Sequence, residues 1–395
     1  MMSADSEDTV AAVHRALWSG VEGAKLAPAE AVRSEPPADG EAALDQHIRT
    51  LIAKTEPLAG RERVADLTRE VRARIDGLGP LDRFAIDADV SEIMVNGDGA
   101  VWVERAGRLE HTGHRLDPIE GEHLVRRLAA RVGRRVDQTR PSVDVRLADG
   151  SRLHAILPPL AVDGPCITIR RFTRRELDLE SLAEPAACEL LRDAVARFLT
   201  IIVAGGTSSG KTTVLNALGR GIDPDARIVT IEDAAELRLP GRHIVRLETR
   251  LATEGTPATG LRELVRHALR MRPDRIICGE MRGAEALDLV QAMNTGHRGS
   301  LSTVHANSAP DALRRIETMM LLGEADLPLP AVREQIASCV DLVVMTSRRP
   351  DGSRGVDSIA AVPSRPTDGW KLDWLFHADD GSLTRNPAQN PESRR

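Results

Sequence analysis

The chain has no tyrosine, only four phenylalanines and four tryptophans, and just four lysines (Lys25, Lys54, Lys211, Lys371) beside 49 arginines in 395 residues. So few aromatics leave almost no platforms on which single-stranded bases stack. A net charge of −6 excludes the dense cationic face with which a general nucleic-acid coat releases counterions. The four cysteines, Cys166, Cys188, Cys278 and Cys339, lie far apart without a C-x-x-C pair. Neither a structural zinc site nor a disulfide framework is suggested, and reduced cytosolic thiols are the expectation. The longest apolar run, Phe198 to Ala204 broken by Thr200, falls far short of the roughly 18 residues of a membrane span. No charged-then-apolar start resembling a signal peptide appears. The expectation is a cytoplasmic protein whose membrane role comes through partners.

Residues 1–43 are rich in Ala, Glu, Asp and Pro without sustained periodicity and read as a mobile tail with at most one short helix. Order is expected to start near Leu44. Leu44, Ile48, Leu51 and Ile52 recur at helical spacing, as do Val64, Leu67, Val71 and Ile75 before Gly77-Leu78-Gly79-Pro80. Strand signals then dominate to Phe172. Glu92–Val95 and Val101–Glu104 flank the turn Asn96-Gly97-Asp98-Gly99, as a hairpin does. Asp117-Pro118-Ile119-Glu120 announces a helix, with Asp as cap and Pro in the first turn. Val143–Leu147, Arg152–Leu157 and Cys166–Arg170 alternate like one-sided antiparallel strands. Residues 44–172 thus read as an α+β N-terminal domain. Over 173–346 five short apolar runs, starting at Ile201, Ile228, Ile276, Leu301 and Leu342, are separated mostly by helical stretches. That is the pattern of an α/β domain with buried parallel strands. Residues 347–395 read as a partly disordered extension with one apolar island, Trp370 to Phe376.

Gly205-Gly206-Thr207-Ser208-Ser209-Gly210-Lys211-Thr212 fits G-x-x-x-x-G-K-[ST], after an apolar strand and before a helix that continues through Thr213. Glycines let backbone N–H groups turn in around phosphates, and the helix N-terminus adds partial positive charge. Lys211 reaches the β and γ phosphates, and the Thr212 hydroxyl ligates Mg²⁺. In a chain that almost never uses lysine, Lys211 marks a place where a planar guanidinium does not replace a compact ammonium. Thr230-Ile231-Glu232-Asp233-Ala234-Ala235-Glu236 sets three carboxylates past a strand, where water activation or metal coordination is placed in a P-loop fold; a solvated acidic loop is the bland alternative. Arg270 to Glu280 reads as a second apolar strand ending in an acid, as a Walker B element does. His297 and His305 stand at the two ends of a further strand, and a lone histidine is more often structural than catalytic. Arg246 and Arg250 are unexceptional by themselves among 49 arginines.

Together these stretches resemble the secretion or traffic ATPases of type II secretion, type IV pili and type IV secretion. Walker A (205–212), Asp box (230–236), Walker B (276–280) and His box (295–305) stand in that family's order. The branch serving Tad/Flp (type IVb) pili, called CpaF/Tad-type, is the nearest match. Its hallmark run is similar to Leu269–Ile277, Glu285–Asp288, Gln291–His297 and His305–Ser308 here, and the N-terminal Ile93–Gly97, Asp149–Arg152 and Ile169–Phe172 also look familial.

The resemblance implies a RecA-like P-loop motor domain with a smaller α+β N-terminal domain, binding ATP and Mg²⁺. It assigns nucleotide contact to Gly205 through Thr213, with Thr212 and Glu280 toward the metal. Glu236 would be general base and Glu280 the holder of the metal-bound water, two roles that are exchangeable. His297 and His305 would sense the γ-phosphate. Arg146 and Arg152 would close over the nucleotide, and Arg246 and Arg250 would face a neighbouring subunit of a homo-hexameric ring. The implied function is a cytoplasmic ATPase powering Tad/Flp pilus assembly or secretion through an inner-membrane platform protein. A conjugation-type secretion ATPase is the alternative, and a RecA-like nucleic-acid motor is the reading from another class. Two departures stand out: Ser208 occupies a position where many relatives carry glycine, and the tetracysteine domain of type II relatives is missing.

Overall fold

A computed structural model of the chain describes residues 9–10, 12–13, 16, 38–171, 177–250, 257–323, 327–349, 352–366 and 369–378. The chain divides into two compact units, Met1–Arg174 and Arg175–Arg395.

In the first unit, α1 (Ala38–Thr55) and α2 (Arg61–Asp76) pair through Ile48, Ile52, Leu67 and Val71, which are fully buried together with Val10 and Val13. Helix α1 starts at Ala38, inside the stretch read as a tail. Helical periodicity is read from recurring large apolar residues, and Ala38-Asp39-Gly40-Glu41-Ala42-Ala43 contains none. Most of the remaining tail, including 17–37, lies outside the described residues. After the short α3 (Asp82–Ile86), six antiparallel strands form one sheet: β1 (Val90–Val95), β2 (Ala100–Arg105), β3 (Arg108–Arg115), β4 (Ser142–Arg146), β5 (Arg152–Ile156) and β6 (Cys166–Arg170), in the order 3-2-1-6-5-4. Their inward residues, such as Ile93, Val103, Leu153 and Ile169, bury against Leu124, Val125 and Leu128 of α4 (Pro118–Arg131). Asp117 caps α4, its Oδ1 accepting from the N–H of Ile119 and Glu120. Gly99 (φ +84°) is needed in the β1–β2 turn, because a Cβ there would collide with the Leu116 carbonyl. Strand β3 exposes nearly every residue and carries no alternation for the sequence to show.

The second unit is built on an eight-stranded sheet. Its strands are β7 (Ile201–Gly205), β8 (Ile228–Glu232), β9 (Ile244–Glu248), β10 (Arg275–Met281), β11 (Leu301–His305), β12 (Leu342–Arg348), β13 (Arg354–Ala361) and β14 (Asp373–His377), in the order 14-13-12-7-11-10-8-9. The six strands from β12 to β9 run parallel, and β13 and β14 add antiparallel. Helices α5 (Pro185–Ala196) and α6 (Lys211–Gly219) cover one face. Helices α7 (Leu261–Ala268), α8 (Glu285–Asn294), α9 (Ala309–Leu322) and α10 (Leu329–Cys339) cover the other. The five apolar runs are the five central parallel strands, buried on both faces as such strands must be.

The C-terminal region departs from the expected extension. Strands β13 and β14 continue the sheet, burying Val356, Ile359, Ala360 and Phe376, and Trp370 is 1% exposed. The Trp370 indole donates to Glu317 Oε1 on α9 at 2.5 Å, and Arg333 donates to the same oxygen at 2.9 Å. Antiparallel strands of mixed composition in an arginine-rich stretch conceal their apolar face from a composition reading. Residues 379–395 lie outside the described ones. Cys188, Cys278 and Cys339 are buried and no cysteine is in a disulfide. Among the described residues no helix is long and apolar enough to cross a membrane.

Candidate functional site

Parallel strands aim their C-terminal ends at one edge of the sheet, where ligands bind in open α/β folds. Four of the predicted motifs end there: Gly205 closes β7, Glu232 closes β8, Glu280 stands next to the end of β10, and His305 closes β11. Register aligns them, with Gly205 opposite His305 on one side and Thr346 on the other.

The loop after β7 is wound by two left-handed residues, Ser208 (φ +57°) and Gly210 (φ +94°), the second immediately before Lys211 opens α6. Ser208 therefore adopts the backbone conformation that glycine takes most easily. Gly205 is packed so closely that a Cβ would collide with Thr346 Oγ1, Ser209 Oγ and the Thr346 carbonyl. Thr346 fixes the loop by a hydroxyl contact of 2.8 Å to Ser209, whose Oγ also donates to the Gly206 carbonyl at 2.9 Å. The Lys211 ammonium lies inside the curl, donating to the carbonyls of Gly205 at 3.2 Å and Gly206 at 2.8 Å. Thr212 and Thr213 occupy the first turn of α6, whose N-terminal N–H groups and dipole favour an anion. Gly206 and Thr207 complete the loop.

The Asp box leaves β8 as a turn held on several sides. Glu232 accepts from the N–H of Glu236 and Leu237, both at 2.8 Å. From β9, Arg246 donates to the Ala235 carbonyl at 2.9 Å, and Glu248 accepts from the Ala235 N–H at 3.2 Å. Burial pushes the Glu232 carboxyl up to about 7. Glu236 is partly exposed at the end of this turn.

Across from it, Arg282 donates to Glu280 Oε2 at 2.6 Å and to Asp233 Oδ2 at 3.0 Å, tying Walker B to the Asp box. The bond to Glu280 is the main cause of a guanidinium pKa above its usual range. Glu285, buried at the start of α8, accepts from the N–H of Arg282 at 2.6 Å and of Gly283 at 2.8 Å, which seats that arginine. His305 is held below its usual pKa by burial and then by the Lys211 ammonium, with Glu280 opposing. Cys278, within β10, is pushed up to about 12 by burial and is inert as a nucleophile at neutral pH.

The structure thus brings Gly205 to Thr213, Glu236, Glu280 and His305 to one edge. His297 precedes β11 and sits at the opposite edge, its Nδ1 3.2 Å from the Ala292 carbonyl. Arg246 braces the Asp box of its own chain, and exposed Arg250 contacts the Pro257 carbonyl at 3.4 Å. In the first unit Arg146 and Arg152 face each other directly across β4 and β5, and Arg170 on β6 extends the row. On its other side Arg170 stands opposite Glu92 of β1. Arg282, Glu285, Glu232 as an anchor, Thr346 and Arg170 are additions to the sequence reading. A charged residue two positions past the Walker B acid was the one signal that could have found Arg282.

The model of the family described as "Type II/IV secretion system protein" matches residues 74–349. The chain belongs to that family. It is 38% identical over 338 residues to a putative conjugal transfer protein of Mycobacterium tuberculosis, covering 82% of this chain and 95% of that one. It is 39% identical over 296 residues to the type IV secretion system protein PtlH of Bordetella pertussis, covering 66% and 86%. The X-ray structure of the Legionella pneumophila ATPase DotB matches with a TM-score of 0.53 at 22% identity over 71% of this chain and 80% of that one, a likeness of fold. The fold is accordingly the RecA-like α/β domain with a smaller N-terminal α+β domain.

Proposed function

We propose that this type II/IV secretion family member is an ATP-hydrolysing motor of a type IV secretion or conjugal-transfer system. The observation that carries the reading is the convergence of Lys211, Glu236, Glu280 and His305 on one strand-end edge, around a loop that leaves no room for a side chain at Gly205. Lys211 exchanges its two carbonyl acceptors for β- and γ-phosphate oxygens, and the α6 N-terminus binds the same charge. Glu236 takes the proton of the attacking water, and His305 hydrogen-bonds at the γ-phosphate. Arg146 and Arg152 form a cationic pair on the first unit, and Arg250 faces a neighbouring copy in a ring.

The Thr212 hydroxyl and Glu280 carboxylate are hard oxygen donors that suit Mg²⁺, and among the described residues no cluster of three or more His, Cys, Asp or Glu forms a cage. A few protein oxygens completed by phosphate and water is the usual Mg²⁺ arrangement. When bound, Mg²⁺ neutralises the charge that develops on the transferring phosphoryl group.

The conjugal-transfer and type IV secretion names of the relatives support this system over the Tad/Flp pilus that the Leu269–Ile277 and Gln291–His297 runs suggested. Partners would be further copies of this chain and an inner-membrane platform, with the motor at its cytoplasmic side. Affinity purification of the tagged full chain from its own membranes tests the assignment. Recovery of type IV secretion or conjugation components supports it, and recovery of a Tad-type platform overturns it in favour of the pilus reading.

A further inference from the structure

Glu232 is 2% exposed, yet it is an acid. Putting a carboxyl where valine or leucine would bury at no desolvation cost demands a compensating contact. The compensation is specific: one oxygen, Oε1, takes both backbone N–H groups at the far end of the Asp-box turn, Glu236 and Leu237. The other oxygen, Oε2, is buried without a hydrogen-bond partner. The side chain also lies against β10, since a Cβ on Gly279 would come within 3.0 Å of Glu232 Cγ. Gly279 directly precedes Glu280, and its carbonyl accepts from Thr303 on β11 at 2.7 Å. One carboxyl is therefore wedged between the strand that carries Glu280 and the turn that carries Glu236. The charged groups acting on it are Arg246 from β9 and Glu236 from the turn itself.

We propose that Glu232 is a positioning residue for ATP hydrolysis, a buried acceptor that fixes the backbone of Glu236 against the Walker B strand. The inference rests on the reading of Glu236 as general base. Glu232 is enclosed by the turn and β10 and bonds only the turn's backbone, so its removal is expected to displace the base and leave the phosphate loop intact. A displacement of about 1 Å at such a group costs on the order of 100-fold in rate.

The test compares steady-state phosphate release and Mg-ATP affinity for Glu232→Gln, Glu232→Met and Glu236→Gln in the full chain. Glutamine keeps an oxygen that accepts both N–H groups, whereas methionine fills the volume and accepts neither. The expected result is kcat lowered 30- to 100-fold in Glu232→Met with KM and Mg-ATP affinity within about threefold of wild type, and kcat in Glu232→Gln within about threefold. Three results overturn the proposal: Glu232→Met with wild-type kcat, Glu232→Gln as slow as Glu232→Met, or loss of nucleotide affinity in parallel with kcat. If Glu236→Gln keeps full activity, the reading of Glu236 as base fails; if Glu236→Gln is inactive and Glu232→Met is normal, the positioning role alone fails.

Discussion

Arg282 and Glu280 form an ion pair of 2.6 Å just past the Walker B strand, and the second nitrogen of the same guanidinium reaches Asp233 at 3.0 Å. One side chain therefore spans the two acidic loops of the candidate site. Its planar fork permits that span, and a lysine ammonium on a flexible stem does not reproduce it. Arg282→Ala is expected to lower kcat by about 10-fold or more, because two carboxylates at the site lose their shared counter-charge. Arg282→Lys should recover only part of it. The pair is half exposed, and such pairs contribute little to stability, so the melting temperature should stay within a few degrees of wild type. A normal kcat in Arg282→Ala would remove this residue from the mechanism.

Gly205→Ala tests the packing of the phosphate loop. Its added methyl meets Thr346 and Ser209, and overpacking of this kind costs about 1–3 kcal/mol. Nucleotide affinity should fall together with stability. A Thr346→Ala, Gly205→Ala double variant, which removes one colliding hydroxyl, should recover part of both, as measured by thermal melts with and without Mg-ATP.

The Glu232 carboxyl has a pKa raised from 4.5 to about 7, which makes stability depend on pH with a defined sign. Below pH 4.5 the group is protonated in both folded and unfolded chains and contributes nothing. Between 4.5 and 7 the unfolded chain releases its proton and the folded chain keeps it, so stability falls as pH rises, by about 3 kcal/mol in all. Glu232→Gln does not titrate. Its stability relative to wild type should therefore rise from pH 5 to pH 8, as read by urea unfolding at both; a gap that stays constant would contradict the assignment.

Trp370→Ala examines whether the C-terminal strands belong to the motor domain. It removes a buried indole and leaves Glu317 with Arg333 alone, so a loss of about 3–5 kcal/mol is expected. Denaturant unfolding with no change in midpoint would show that the segment does not support the fold.

The sequence made legible what physics writes locally. Ile201–Ala204 and its four counterparts are continuous apolar runs because central parallel strands are buried on both faces, and the Walker A loop is visible because glycine and lysine at fixed spacing have few other uses. Strands β3 and β9 lie at sheet edges, where alternation fades, and escaped notice. Glu232 was in view as a residue but not as an anchor, because its bonds to Glu236 and Leu237 exist only once the turn folds back, and Arg282 was not singled out, because its reach to Asp233 depends on β10 lying beside β8. The histidines show the same point: His305 joins Lys211 because β11 neighbours β7, and His297 does not because the intervening strand carries it to the far edge.

The central claim is that the edge formed by Lys211, Glu236, Glu280 and His305 hydrolyses ATP. Phosphate release from Mg-ATP by wild type and Lys211→Ala, purified identically, tests it most directly. The account predicts measurable turnover in wild type and a loss on the order of 100-fold or more in Lys211→Ala; equal phosphate release by the two proteins would contradict it.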